Sequence, residues 1–200
     1  MAQPAYKFPE EKDGPSWPAQ GGWTYEDYLR LPEDGNRYEV IRGFLYVSPA
    51  PLPKHQFPVG KLIRYFDVFV SDAGLGTVLP APLDVVLPKG IASPVQPDVA
   101  IFRKGNEPSP DRPFEGVPDL LVEVLSSGTR RRDQTLKLGA YEEAGVPEYW
   151  LVDPDARTVV VLVLGKDRKY IELARGGIGD EVESSVFSGL RVNVARLFMP

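Results

Sequence analysis

The sequence predicts a mixed α/β (α+β) domain with a central mixed sheet flanked by helices. Short β-rich runs recur along most of the chain, whereas two longer segments carry apolar residues at helical spacing. The two kinds of segment alternate rather than filling separate halves. A length of 200 residues suits one such domain with a real hydrophobic core.

The elements follow in order. Residues 1–21 are rich in Pro, Gly and charge without periodicity, so they read as an arm or tail ahead of a single domain over 22–200. "WTYEDYLRLP" predicts a short helix, capped by Thr24 with Asp27 three residues on and stopped by Pro32. "RYEVIRGFLYVSP" holds two β-rich runs around Arg42-Gly43, the pattern of an N-terminal hairpin. Val59, Leu62, Ile63, Phe66, Phe69 and Val70 give residues 56–72 one apolar helical face, with Pro58 in the first turn. "LDVVLP", "QPDVAIFR" and "LLVEVLS" predict three strands. Residues 131–145 predict a helix ending at Gly145-Val146-Pro147, and "EYWLVD" the next strand. "RTVVVLVL" and "KYIELA" around "GKDR", then "SGLRVNVARLF", make a C-terminal β extension.

Composition narrows the chemistry. The chain has no cysteine and one histidine, His55. Thiol nucleophiles, disulfides and thiolate metal sites are excluded, and multi-histidine zinc sites lack ligands. Any metal chemistry must rest on carboxylates, which favours magnesium or manganese. A net charge of −5 argues against non-specific coating of nucleic acid but permits a local basic site. No apolar run is long enough to span a bilayer and no signal-peptide pattern is present, so no membrane contact and a cytoplasmic location are expected.

Three acids stand inside apolar strand runs: Glu39 in "YEVI", Asp98 at the start of "DVAIF" and Glu123 in "LLVEVL". Burying an ionised carboxylate costs several kcal/mol unless it is paired or metal-bound. If the strands carrying Asp98 and Glu123 are neighbours, the two acids converge, and a cation between them offsets their repulsion. The alternative is a set of strand-end acids, each meeting a nearby Arg or Lys. Asp133, Lys137 and Tyr141 are spaced four apart on the following helix. Lys137 then either pairs with Asp133 on the surface or points back over the sheet toward Glu123. Arg130, Arg131 and Arg132 sit at the start of this helix, where cations oppose the macrodipole. They read as a solvated loop or as a place where a phosphate docks.

The stretches "RYEVIRG", "SPAPLPKHQ", "QPDVAIF" and "PDLLVEVLSSGTRRRDQTLKLGAYEEAGVPEYWLVDP" together resemble the Uma-type restriction endonuclease family, within the PD-(D/E)xK nuclease superfamily. The likeness runs from about Tyr25 to the C-terminus and is densest from Gln96 to Pro154. It implies a restriction-endonuclease-like core and metal-assisted hydrolysis of DNA phosphodiesters, with Mg2+ or Mn2+ as cofactor. Asp98 and Glu123 match the acidic metal ligands, and the carbonyl of Val124 completes that site in relatives. Glu39 matches an extra acid on the hairpin, and Gln96 a supporting residue. The superfamily lysine belongs two residues after the second acid, where this chain has Leu125; Lys137 matches the helix lysine of the Uma-type pattern. His55 matches a recurrent His-Gln and is grouped with Arg130, Arg131 and Arg132 as a nucleic-acid contact, with capping or bridging a loop as the alternative to a chemical role. Arg42 stands where the family turn carries Asp. By analogy, a homodimer or higher homo-oligomer is expected. Two other readings stay open: a catalytically inactive nuclease-fold protein acting in DNA binding or scaffolding, and an enzyme for RNA or a nucleotide.

Overall fold

A computed structural model describes residues 16–199. Most of the expected N-terminal arm lies outside the described residues. The described residues form thirteen strands and four α-helices. Helix α1 (Tyr25–Tyr28) opens on Thr24, which accepts from the Asp27 N–H while Asp27 caps Thr24 in return, so the expected capping box is present. Strands β1 (Arg37–Ile41) and β2 (Phe44–Ser48) form the hairpin. Its two turn residues, Arg42 and Gly43, have φ of 51° and 75°. This is the turn whose twist matches that of the strands, and it holds Arg42 in the left-handed region that Asn, Asp or Gly would favour. Gly43 has no substitute: a Cβ there would lie 2.5 Å from the Gly21 carbonyl oxygen.

Helix α2 (Pro53–Phe66) runs on through a π-helical turn, Asp67–Ser71. Strands β3 (Gly76–Pro80), β4 (Val85–Leu87), β5 (Ala92–Val95), β6 (Val99–Arg103), β7 (Phe114–Glu115) and β8 (Leu120–Val124) come next. Residues 130–144 are helical, comprising a π-helical turn, Arg132–Lys137, and α3 (Leu138–Ala144), which ends on Gly145 in the left-handed region. Strands β9 (Glu148–Asp153), β10 (Thr158–Leu164), β11 (Tyr170–Gly176), β12 (Glu181–Glu183) and β13 (Arg191–Asn193) precede α4 (Val194–Leu197).

The central sheet has the order β11-β10-β9-β8-β6-β3. It is mixed, since β8 and β9 run parallel and the other pairs antiparallel. A second sheet, β2-β1-β5-β4-β7, carries the hairpin. "LDVVLP" forms a strand as expected, but as β4 of the second sheet; "GTVLP", not among the expected strands, supplies β3 of the central sheet. Pro80 ends β3 and Pro82 follows one residue later, after Ala81. Prolines lack the N–H that continues a ladder, and β3 is an edge strand where that is tolerated.

The central sheet is buried on both faces, which is why "LLVEVL" reads as a continuous apolar run. Val99, Leu120, Val122 and Val124 pack with Leu62 and Phe66 of α2 and with the C-terminal extension. Ala100, Leu121 and Leu125 pack against Tyr141 of α3 and against Ile41, Val85 and Val95 of the second sheet. Glu123 shares this second face with Leu121 and Leu125, because alternate strand residues point the same way. Among the described residues, no helix is long and apolar enough to cross a membrane.

Candidate active site

Register brings the acids together. Strands β6 and β8 pair Val99 with Val122 and Ala100 with Leu121. One step further along the same register, Asp98 lies opposite Glu123, and an Asp98 carboxylate oxygen accepts from the Val124 N–H at 2.8 Å. Glu39 arrives from β1 and accepts the Gln96 N–H at 2.9 Å. All three acids are 2–3% exposed. They line a cleft of about 480 Å³ with Arg37, His55, Leu125, Arg132, Asp133 and Lys137 on its wall.

Lys137 points inward, not to solvent, and is 2% exposed. Its ammonium lies 2.7 Å from both Glu39 Oε1 and Glu123 Oε1, and 4.0 Å from Asp133. Tyr141 donates to Glu123 Oε1 at 2.8 Å from behind the cleft. Asp133 is buried with Oδ1 lacking a hydrogen-bond partner in the structure. The π-helical turn Arg132–Lys137 keeps Asp133 and Lys137 on one stripe, and such turns frequently mark functional sites. Two residues after Glu123, Leu125 is only 3% exposed and packs into the core between the sheets.

Asp98 is held from three sides. Arg37 Nη1 lies 3.0 Å from Oδ1 and His55 Nε2 lies 3.0 Å from Oδ2, opposite the Val124 amide. His55, in the first turn of α2, thus ties that helix to the acid. Gln96 sits behind the cleft, donating to Asp84 at 2.8 Å and to the Tyr28 hydroxyl at 3.1 Å. The three arginines diverge. Arg130 pairs with Asp153 and Asp155. Arg131 is exposed. Arg132 alone turns into the cleft, 3.3 Å from Glu39 Oε2 and donating to Ser48 at 2.9 Å.

These contacts set the charge states. Burial opposes ionisation of Asp98, but His55 first, then Arg37 and Lys137, outweigh it and hold the carboxyl at about 2. Burial also opposes ionisation of Glu39, and Lys137 and Arg132 reverse that too, keeping it below its ordinary value. Glu123 shares Lys137 with Glu39 but lacks an arginine, and it feels Asp133, Asp98 and Glu39. Burial therefore wins and raises it to about 8. Asp133 is likewise raised by burial. Lys137 is raised despite burial by the surrounding glutamates.

Among the described residues, no group of three or more histidines and acids stands ready-made to hold a metal. The chemistry of Asp98 and Glu123 nevertheless fits a hard divalent cation. Both offer buried carboxylate oxygens from neighbouring strands, and burial, helped by Asp133, Asp98 and Glu39, pushes Glu123 up to about 8 against the pull of Lys137, so a cation there would offset the crowding of acids. Arg37 was missed in the sequence reading. Its signal was strand alternation, since Arg37 and Glu39 share a face of β1. Ser48, Asp84 and Tyr28 left no such signal, because their partners lie 12 to 84 residues away.

The sequence model of the Uma2 family, described as "Putative restriction endonuclease", matches residues 25–195. A solved structure described as "a putative nuclease belonging to DUF820 from Anabaena variabilis ATCC 29413" aligns with a TM-score of 0.73 at 22% identity, covering 88% of this chain and 97% of that one. At that identity the likeness is one of fold. No curated protein matches the chain.

Proposed function

Because this chain belongs to the Uma2 putative restriction endonuclease family, we propose that it is a metal-dependent endonuclease that hydrolyses DNA phosphodiester bonds. The observation that carries the reading is the placement of Asp98 beside Glu123 at the edge of β6 and β8, on the wall of one cleft with Lys137. Asp98 and Glu123 would hold magnesium or manganese, with the Val124 carbonyl a third candidate ligand. Bound there, the ion would supply Lewis acidity toward phosphate and water.

The remaining work falls to the protein's own groups. Asp98 stays ionised throughout the physiological range. Glu123 must give up its proton to act as a ligand, and Tyr141 and Lys137 both face the oxygen left charged. Lys137 is a permanent, desolvated positive charge beside the reacting region, suited to stabilising negative charge that develops on phosphate. Arg132 keeps Glu39 ionised, and Glu39 in turn fixes the ammonium. Arg130 and Arg131 flank the cleft at the helix start, where they would meet the phosphate backbone of DNA. A homodimer would set two such clefts on the two strands.

The test is cleavage of double-stranded DNA with Mg2+ or Mn2+, with and without chelator. Wild type cuts, and Glu123→Gln and Asp98→Asn do not, although both fold. A second reading, a catalytically inactive nuclease-fold protein, is favoured by Leu125 and by the Lys137 ammonium that already engages Glu123 Oε1. Wild-type protein that neither cuts DNA or RNA nor binds Mn2+ by calorimetry would establish that reading instead.

A further inference from the structure

Asp98 Oδ2 is satisfied by fixed donors, the Val124 amide and His55 Nε2. Asp98 Oδ1 is met differently, by the guanidinium of Arg37 at 3.0 Å, whose other nitrogen donates to the Gln96 carbonyl at 2.7 Å. This guanidinium therefore covers the Asp98 oxygen that a cation would need. It is also accessible: its side chain is 22% exposed, against 10% for Arg132 and 2% for Lys137. Lys54, the other exposed cation on the cleft wall, is paired with Asp155.

Guanidinium binds phosphate as well as carboxylate, through two parallel hydrogen bonds. A phosphodiester entering the cleft thus competes with Asp98 for the same group. We infer that Arg37 masks Asp98 in the resting protein and exchanges it for substrate phosphate, so that divalent cation and phosphodiester bind with positive coupling. The inference rests on Asp98 being a cation ligand. Coupling of this kind is reciprocal, so the phosphate tightens the metal by the same factor as the metal tightens the phosphate.

Arg37→Met tests it in full-length protein, read by Mn2+ calorimetry and by electron paramagnetic resonance of free Mn2+, with dimethyl phosphate as the diester probe. With Mn2+ alone, Arg37→Met binds at least about tenfold more tightly than wild type, because nothing covers Asp98 Oδ1. Dimethyl phosphate tightens Mn2+ binding several-fold in wild type and leaves it unchanged in Arg37→Met. Lys54→Gln removes a cleft charge that does not touch Asp98, and it keeps the phosphate effect. Equal Mn2+ affinity in wild type and Arg37→Met overturns the exchange while leaving Asp98 as a ligand. A phosphate effect that survives in Arg37→Met also overturns it. Failure of both proteins to bind Mn2+ removes the metal reading itself, and the exchange with it.

Discussion

Replacing Lys137 with Met removes one buried ammonium and keeps a stem of similar length. Two carboxylates then lose a cation at 2.7 Å each. Glu123 adds little to the cost at pH 7, because burial already leaves it protonated up to about 8. The cost falls on Glu39. It either stays ionised beside Arg132 at 3.3 Å and the Gln96 N–H, or takes up a proton. Protonating a carboxyl of ordinary value 4.5 at pH 7 costs about 3 kcal/mol, which caps this contribution. The same step costs under about 1 kcal/mol at pH 5. Loss of a partner from a buried ion pair typically costs about 3–5 kcal/mol, so the protonation route limits the damage here. The expected result is a loss of about 2–3 kcal/mol at pH 7 that shrinks by most of its size at pH 5. Urea unfolding followed by tryptophan fluorescence at both pH values measures it, since Trp150 is fully buried. A loss that is the same at both pH values, or below about 1 kcal/mol at pH 7, would refute the shared-cation account.

Four further outcomes follow from the same geometry. Glu123 has a folded-state value near 8 against an ordinary 4.5, so the folded protein binds the extra proton and stability falls as pH rises across that window. Glu123→Gln flattens this slope and is more stable than wild type above pH 8; an unchanged slope would place the proton elsewhere. Asp98 lies near 2 against an ordinary 3.8, so its contribution is complete above 3.8 and is lost as pH falls through 2; Asp98→Asn removes this acid limb from a melting-temperature profile. Mn2+ binding at pH 7 releases close to one proton as Glu123 ionises, so its calorimetric enthalpy tracks the ionisation heat of the buffer, and buffer-independent heats would contradict that. Glu148 accepts from Trp150 Nε1, from the Ser185 N–H and hydroxyl, and from the Val186 N–H. Glu148→Leu strands these donors and costs at least about 3 kcal/mol by denaturant unfolding, with Ser185 and Val186 amides exchanging faster.

Much of this was local and therefore legible in the chain. The Thr24–Asp27 capping box, the two-residue hairpin at Arg42-Gly43 and the two amphipathic helices depend on neighbours within a few residues. Glu123 stood out because an acid between aliphatics on both sides must find a partner when its strand is buried. The likeness to a nuclease family then tied Asp98, Glu123, Glu39 and Lys137 to one site. Which strands belong to which sheet was not legible: "GTVLP" and "LDVVLP" are similar runs separated only by Ala81 and Pro82, and pairing rather than composition separates them.

By itself the sequence determined element types and the absence of thiol and multi-histidine alternatives, and it singled out the strand carboxylates. Tertiary structure decided who meets whom. It turned Lys137 onto Glu39 and Glu123, closed Leu125 into the core, sent Arg130 to Asp153 while Arg132 entered the cleft, and set Arg37 over Asp98. The reason is physical. A periodicity fixes the face on which a side chain stands, but register and packing of distant elements fix what stands opposite, and the charge state of Glu123 depends on those distant groups.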